Sequence, residues 1–447
     1  MMKKFGLLIL LLFWLIIIPG CIANDGQVTS TNSVKSRDEL LPSEWVFLAD
    51  ASSNAGRPQR FNFEIVGNIT LVQNRDGVMY ALNTEDGTIQ WRQEGTCQGR
   101  LAGTEFVTSQ DVVFIQSFDQ VLALDLVSGR EIWTTSIHAS RLTLNPENQE
   151  IVYVETENKP YCLYALNALT GKEVWKYCTE VRNMHTWQPQ VSNGTIVFQT
   201  KYNNLHALDS VTGREKWYHS AGYYLLFPPA RVWTADNQEK WVYQKKNKLM
   251  SPLLAQNSTI FFHCADGFMY ALGIQTGEER WKFQAEEREM LGNPFPVLSH
   301  GMILYQANNN QIIAVNATSG SPVWRLDMKN GDEIMNKYAI SDDTMYFGNI
   351  MNEYLYAVDL ISGQKKWISE VDSWTSAGAP ALSRGKVFIG GRASGYMSAF
   401  DERDGTLQWQ YYSEGVTSTP VIFEDRIFFS NHSGYLFSLN LSARGIV

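Results

Sequence analysis

ALNALTGKEVW, residues 165–175, reads as a strand, a tight turn and a second strand, and near-copies of it run along the whole chain. They are ALNTEDGTIQW (81–91), ALDLVSGREIW (123–133), ALDSVTGREKW (207–217), ALGIQTGEERW (271–281), AVNATSGSPVW (314–324), AVDLISGQKKW (357–367) and AFDERDGTLQW (399–409). Every copy sets Ala ten residues before Trp and Gly four before it, and the Trp-to-Trp steps are 42, 42, 42, 64, 43, 43 and 42 residues. A unit repeated at this period decides the architecture, because each unit buries its apolar faces against its neighbours in one continuous core.

Leu169-Thr170-Gly171 is expected to form a three-residue hairpin loop ending in a left-handed residue, a conformation Gly enters without steric cost. That loop pairs Ala168 with Lys172, Leu166 with Val174 and Ala165 with Trp175. The small residue leaves room for an indole to lie across the neighbouring strand. Gly and Trp are therefore read as structural rather than as a stacking platform for a cofactor. Two more apolar runs split by turn residues precede each hairpin, as in PALSRGKVFIGG (380–391) and PVIFEDRIFFSN (420–431). Four short antiparallel strands per unit, closing on Trp, select an all-β propeller over a sandwich or barrel.

The chain ends pose an arithmetic problem. After Trp409 a further unit reaches its third strand, with Ser438 in the Ala position, and its Trp would fall one residue past Val447. Upstream of the first unit, Ser-Glu-Trp-Val-Phe-Leu (43–48) holds Trp45, 46 residues before Trp91. An unpaired edge strand is a liability, so residues 44–49 are expected to complete the last blade, antiparallel to 435–440, with Trp45 near Ser438. This count gives nine blades; eight blades with one terminal unit packed outside is the alternative.

The repeat resembles the PQQ-type (pyrroloquinoline quinone) propeller repeat, a YALD-like strand followed by TGxxxW, over roughly residues 44 to 440. A lipid-anchored propeller of this kind is similar to the BamB family of outer-membrane β-barrel assembly lipoproteins, which implies a non-catalytic scaffold for protein–protein contacts. The same repeat occurs in quinone-dependent dehydrogenases, which carry an adjacent Cys pair beside the cofactor and carboxylate and Asn ligands for calcium. In this chain no two Cys are adjacent, and the seven His (138, 185, 206, 219, 263, 300 and 432) are scattered. Acidic residues fall mostly in turns, such as Asp86-Gly87 and Asp404-Gly405, where Asp favours the turn geometry. No catalytic residue, metal site or cofactor is therefore expected. A ligand or envelope-stress sensor ranks third, since neither a signalling module nor a transmembrane helix is visible.

The first 21 residues, MMKKFGLLILLLFWLIIIPGC, have a two-lysine start and a 14-residue apolar run from Phe5 to Ile18. That run is short of the roughly 20 residues a spanning helix needs, and Ile-Pro-Gly-Cys resembles a bacterial lipobox with Cys21 as the lipidated residue. An ordinary signal peptide or an uncleaved anchor is the alternative. Residues 22–43 are polar and are read as a flexible tether, leaving 44–447 for the propeller. A formal charge of −9 without a basic stripe argues against nucleic acid as partner. Export permits disulfides. Cys162 and Cys178 lie opposite each other in the register above and are expected to bridge, with two buried thiols as the alternative and Cys97 and Cys264 unpaired.

One departure from the period stands out. The 64-residue step contains an insertion, 222–252, rich in aromatics and with five Lys or Arg between Arg231 and Lys248. It is read as a partner-docking hairpin anchored by Tyr223, Tyr224, Trp233 and Trp241, since aromatics and Arg dominate binding hot spots. The alternative is that these aromatics fold back to plug the central channel or cover a blade edge.

Overall fold

Strand pairing in the computed structural model follows the repeat. The structure describes residues 27–29, 40–42, 44–49 and 62–446, except 75–77, 95–105, 117–119, 157–158, 180–187, 201–203, 221–229, 234–238, 243–250, 265–267, 285–295, 308–310, 329–337, 349–352, 372–377, 392–393 and 417. Among the described residues there are nine propeller blades of antiparallel strands, the first eight with four strands each in chain order. Blades 1 to 8 span 62–93, 106–135, 139–179, 190–220, 254–284, 297–327, 339–370 and 381–412. Blade 9 comprises Val421–Phe423, Arg426–Ser430 and Tyr435–Asn440, and its fourth strand is Trp45–Leu48 from the other end of the chain. Trp45 pairs with Ser438, so the ring has nine blades and is closed by the N-terminal strand. Within the stretch read as a tether, Gln27–Thr29 adds a fifth strand outside Trp45–Leu48.

The two middle strands of each blade are buried on both faces, and the fourth strands of blades 1 to 8 are far more exposed. Alternate side chains of the middle strands therefore serve opposite neighbours. Leu205 and Ala207 pack toward blade 5, while Leu208 packs toward blade 3. Nine apolar clusters result, one across each seam, including the seam between blades 9 and 1.

The repeated hairpin differs in one detail from the expected loop. Asn167 N–H donates to the Lys172 carbonyl and Gly171 N–H to the Asn167 carbonyl, so the loop is the four residues Ala168–Gly171. Leu166 then faces Glu173, not Val174; Val174 is a bulge, after which Ala165 faces Trp175. The extra loop residue and the bulge cancel, so the register at Trp is unchanged. The bulge also brings the residue before Trp to the same side as the indole.

That side faces the next blade, and the Trp rings seat there rather than on their own Ala. Trp175 stacks over Gly213 of blade 4, where an added Cβ would fall 2.6 Å from the ring. Its Nε1–H donates to the Ser210 carbonyl at 3.2 Å. The same contact recurs eight times, from Trp45 on Gly87 round to Trp367 on Gly405, with indole N–H to carbonyl distances of 2.6–3.2 Å. These glycines have φ between +66° and +74°. They meet two demands at once, a left-handed turn and a surface flat enough for an indole. The insertion does not disturb this arrangement. Trp217 crosses it to reach the Ile274 carbonyl at 2.8 Å, and one cluster spans blades 4 and 5.

The seam between blades 8 and 9 is built differently. Gly445 faces open space, and Trp409 is only partly buried. Here Glu44, whose side chain is fully buried, accepts two hydrogen bonds of 2.6 Å from Arg444 and others from the Asn440 and Leu41 amides. The Arg444 guanidinium lies 4.7 Å above the Tyr411 ring of blade 8. Ser438 takes the usual Ala position because its hydroxyl accepts a 2.7 Å bond from the buried Arg426. Neither ion pair nor hydroxyl is a feature of the repeat.

Trp175→Ala should cost about 3–5 kcal/mol in denaturant unfolding. Gly213→Ala should cost about 1–3 kcal/mol by forcing the same ring outward; a loss below about 0.5 kcal/mol for either would place the ring in solvent. Removing residues 23–50 should sharply lower the thermal midpoint, whereas removing 23–40 retains Glu44 and Trp45 and should change it little.

Candidate functional site

The two ends of the ring are chemically distinct. The turns joining first to second and third to fourth strands share one end, hereafter the turn end. The connectors joining second to third strands, and each blade to the next, share the other. The insertion is a connector between blades 4 and 5 and so leaves from the connector end. Its described part is an antiparallel ribbon of Ala230–Trp233 and Glu239–Val242. Trp233 pairs with Glu239 and Trp241 with Arg231. Tyr223 and Tyr224, like Cys21 and Cys97, lie outside the described residues.

At the connector end, one register position recurs in all nine blades, two residues beyond the partner of the hairpin Ala. It is occupied in order by Gln73, Gln116, Glu155, Gln199, His263, Gln306, Gly348, Gly390 and Ser430. A Cβ on Gly390 would fall 2.4 Å from Val416 of the connector into blade 9, so this position abuts the connectors. Blades 1 to 6 thus present a crescent of large polar side chains, while blades 7 to 9 present small ones. The insertion is rooted inside the crescent. Sequence reading missed it because the residues are some 40 positions apart and only strand register aligns them.

Around the insertion's roots, buried polar groups have hydrogen-bonding capacity that no described residue uses: Thr200 and Asn204 of blade 4, both ring nitrogens of His263, and the Tyr305 hydroxyl. The His263 and Tyr305 rings lie 5.9 Å apart. Burial alone pushes the His263 pKa down to about 4 and drives that of Tyr305 well above its usual value, so both are neutral at neutral pH. A second cluster sits at the blade 3–4 seam. Tyr177 donates to the Glu215 carboxylate, and His206 Nδ1 lies 3.2 Å from that hydroxyl and 3.3 Å from Glu215. Burial, aided by Glu215, raises the Tyr177 pKa, and burial lowers that of His206 despite Glu215. The phenol is thus held protonated, and the imidazole stacks on Phe198.

Cys162 and Cys178 face each other in blade 3 and are joined by a disulfide, stitching its fourth strand to its third. Cys264 is buried. Among the described residues no three His, Cys, Asp or Glu side chains converge as metal ligands. The crescent supplies amides, one imidazole and one carboxylate, Glu155. That set does not match the carboxylate–Asn cluster a quinone–calcium pair requires.

The crescent carries a pH signature. His263 is neutral when folded and takes up a proton near pH 6.5 when unfolded, so its contribution is complete above pH 6.5 and is lost as pH falls toward 4. His206 and His219 act in the same direction. Replacing His263 with Gln should flatten the acid side of a stability–pH profile by up to about 3 kcal/mol. An unchanged profile would mean that His263 is solvated.

Comparison with known proteins agrees with this architecture. The family model described as outer membrane protein assembly factor BamB matches residues 50–149, 144–237 and 226–445. A polyvinylalcohol dehydrogenase from Pseudomonas sp is 26% identical over 167 residues, 31% of this chain and 25% of that protein. The chain thus spans about a quarter of the length of this curated relative. Among solved structures, the computationally designed protein Ika8 superposes with a TM-score of 0.51 at 15% identity, covering 75% of this chain and 95% of its own. BamB from Moraxella catarrhalis superposes with a TM-score of 0.49 at 14% identity, covering 87% and 97%. Because the family match runs through every blade of the ring, this chain belongs to the outer membrane protein assembly factor BamB family of PQQ-repeat propellers.

Proposed function

We propose that the protein is a non-catalytic scaffold of the cell envelope, anchored by lipid at Cys21, that binds a protein partner through the connector end of its ring. The observation that carries this reading is the insertion. About 22 extra residues leave a seam whose apolar core and Trp contact are intact, so the segment is not needed to build the ring. A dispensable, aromatic- and cation-rich segment rooted among buried polar groups has the composition of a binding element. Tyr223, Tyr224, Trp233 and Trp241 are the proposed anchors. Family membership supports an envelope role, with outer-membrane protein assembly as the nearest analogy.

The similarity to a polyvinylalcohol dehydrogenase supports a second reading, a quinone-dependent enzyme. It ranks lower because no two Cys are adjacent and the crescent offers a single carboxylate. Deleting 225–247 should leave the melting temperature unchanged and abolish capture of envelope proteins from solubilised native membranes. Unchanged capture would remove the insertion from the binding role. Dye reduction by the dialysed protein after addition of PQQ and calcium would replace the scaffold with the enzyme.

A further inference from the structure

The turn end carries a feature that the scaffold reading leaves unused. The residue before each Trp follows the hairpin bulge and sits toward the turn end of its blade. In three blades it is a cation: Lys216, Arg280 and Lys366. Two of these are neutralised by the Asp of their own hairpin. Lys216 Nζ lies 3.4 Å from Asp209, and Lys366 Nζ lies 3.4 Å from Asp359. Blade 5 breaks the pattern. Seven copies of the hairpin have Asp or Asn at this position, and the eighth has Gly273. Arg280 consequently forms no ion pair among the described residues; its guanidinium donates only to the hydroxyls of Thr259 and Ser258.

The seam in front of Arg280 is also open. At the preceding seam, Gln275 reaches from the blade 5 turn to accept from Lys216 at 2.9 Å and donates to the Asn193 carbonyl, filling the space. The corresponding residue in blade 6 is Thr318, which is too short to do so. The result is a cavity of about 190 Å³ between blades 5 and 6, walled partly by apolar side chains, whose polar lining is Gln256, Asn257, Ser258, Thr259, Arg280 and Thr318. Ser258 and Thr259 accept from Arg280 and keep their own hydroxyl protons to donate, so cation and hydroxyl donors converge on the space.

We propose that this cavity is a carboxylate-binding site, in which a ligand carboxylate approaches Arg280 from the seam and supplies the counter-charge that Asp209 and Asp359 give the lysines of the sister blades. A guanidinium with two flanking hydroxyls suits a planar two-oxygen acceptor. The cavity admits the end of an acidic side chain or a small free carboxylate, and the two sources share this chemistry. The site lies at the opposite end of the ring from the insertion and does not depend on the scaffold reading.

The test uses the full chain labelled with ¹⁵N-arginine, the Arg280 Nε–H resonance being assigned by its loss in Arg280→Gln. Acetate and the blocked amino acid N-acetyl-aspartate amide are titrated separately, against sodium chloride at equal ionic strength and against inorganic phosphate. The resonance should shift saturably with a carboxylate and not with chloride. Saturation by acetate identifies a free small carboxylate as sufficient, and saturation by the aspartyl compound alone identifies a protein side chain. Gly273→Asp should move the resonance without ligand and abolish the titration. Thr318→Gln, which copies the filled seam, should abolish it without touching the hairpin and covers the case in which Gly273→Asp fails to fold. Linear shifts equal to those with chloride, saturation by phosphate alone, or an undiminished titration in Thr318→Gln would overturn the assignment.

Discussion

The ring depends on one contact, the seating of an indole from one blade on the bare backbone of a glycine in the next. Each repeat both offers a Trp and presents a Gly, so no blade is complete alone and the units must be stacked in order. The contact is polar as well as apolar, since the indole N–H finds a carbonyl three residues before the Gly in all eight cases. The bulge before the Trp is part of the same device. The Trp after it packs across the seam, and the residue before that Trp, where it is Lys216, Arg280 or Lys366, reaches polar partners at the turn end.

A ring built from directional contacts has to be closed, and the repeat alone cannot close it. Trp45 supplies the missing indole to blade 1, while the seam at blade 9 has neither a seated Trp nor a glycine facing one. The buried Glu44–Arg444 pair occupies that gap, with carboxylate oxygens also bound by the Leu41 and Asn440 amides. Ion pairs at such depth add little net stability but are costly to break on one side. Here the two partners are 400 residues apart in sequence, so the pair specifies which ends meet.

The two ends of the ring take different duties from this construction. At the turn end the hairpins are short, alike and capped by their own Asp and Asn side chains, as when Asp125 accepts from the Ser128 amide and hydroxyl. Variation among these hairpins includes single positions such as Gly273 and Thr318. At the connector end the segments vary in length, and the polar crescent runs under blades 1 to 6. The proposed scaffold surface and the proposed carboxylate site therefore lie on opposite ends of the ring, where each can change without disturbing the seams.

Much of this was legible in the sequence because the relevant physics is local. Hairpin register follows from the Gly of the turn and a side-chain period of two, so Ala165 opposite Trp175 and Cys162 opposite Cys178 can be counted along the chain. Counting units likewise gave nine blades and assigned Trp45 to Ser438. The bulge at Val174 escaped that count because an added loop residue cancels it before the Trp. That the indole rests on the neighbouring Gly, that Glu44 meets Arg444, that six polar residues form one crescent and that Arg280 faces a seam without its carboxylate were decided only by tertiary structure. Each joins residues tens to hundreds of positions apart, and their proximity is set by how blade stacks on blade, which no local pattern encodes.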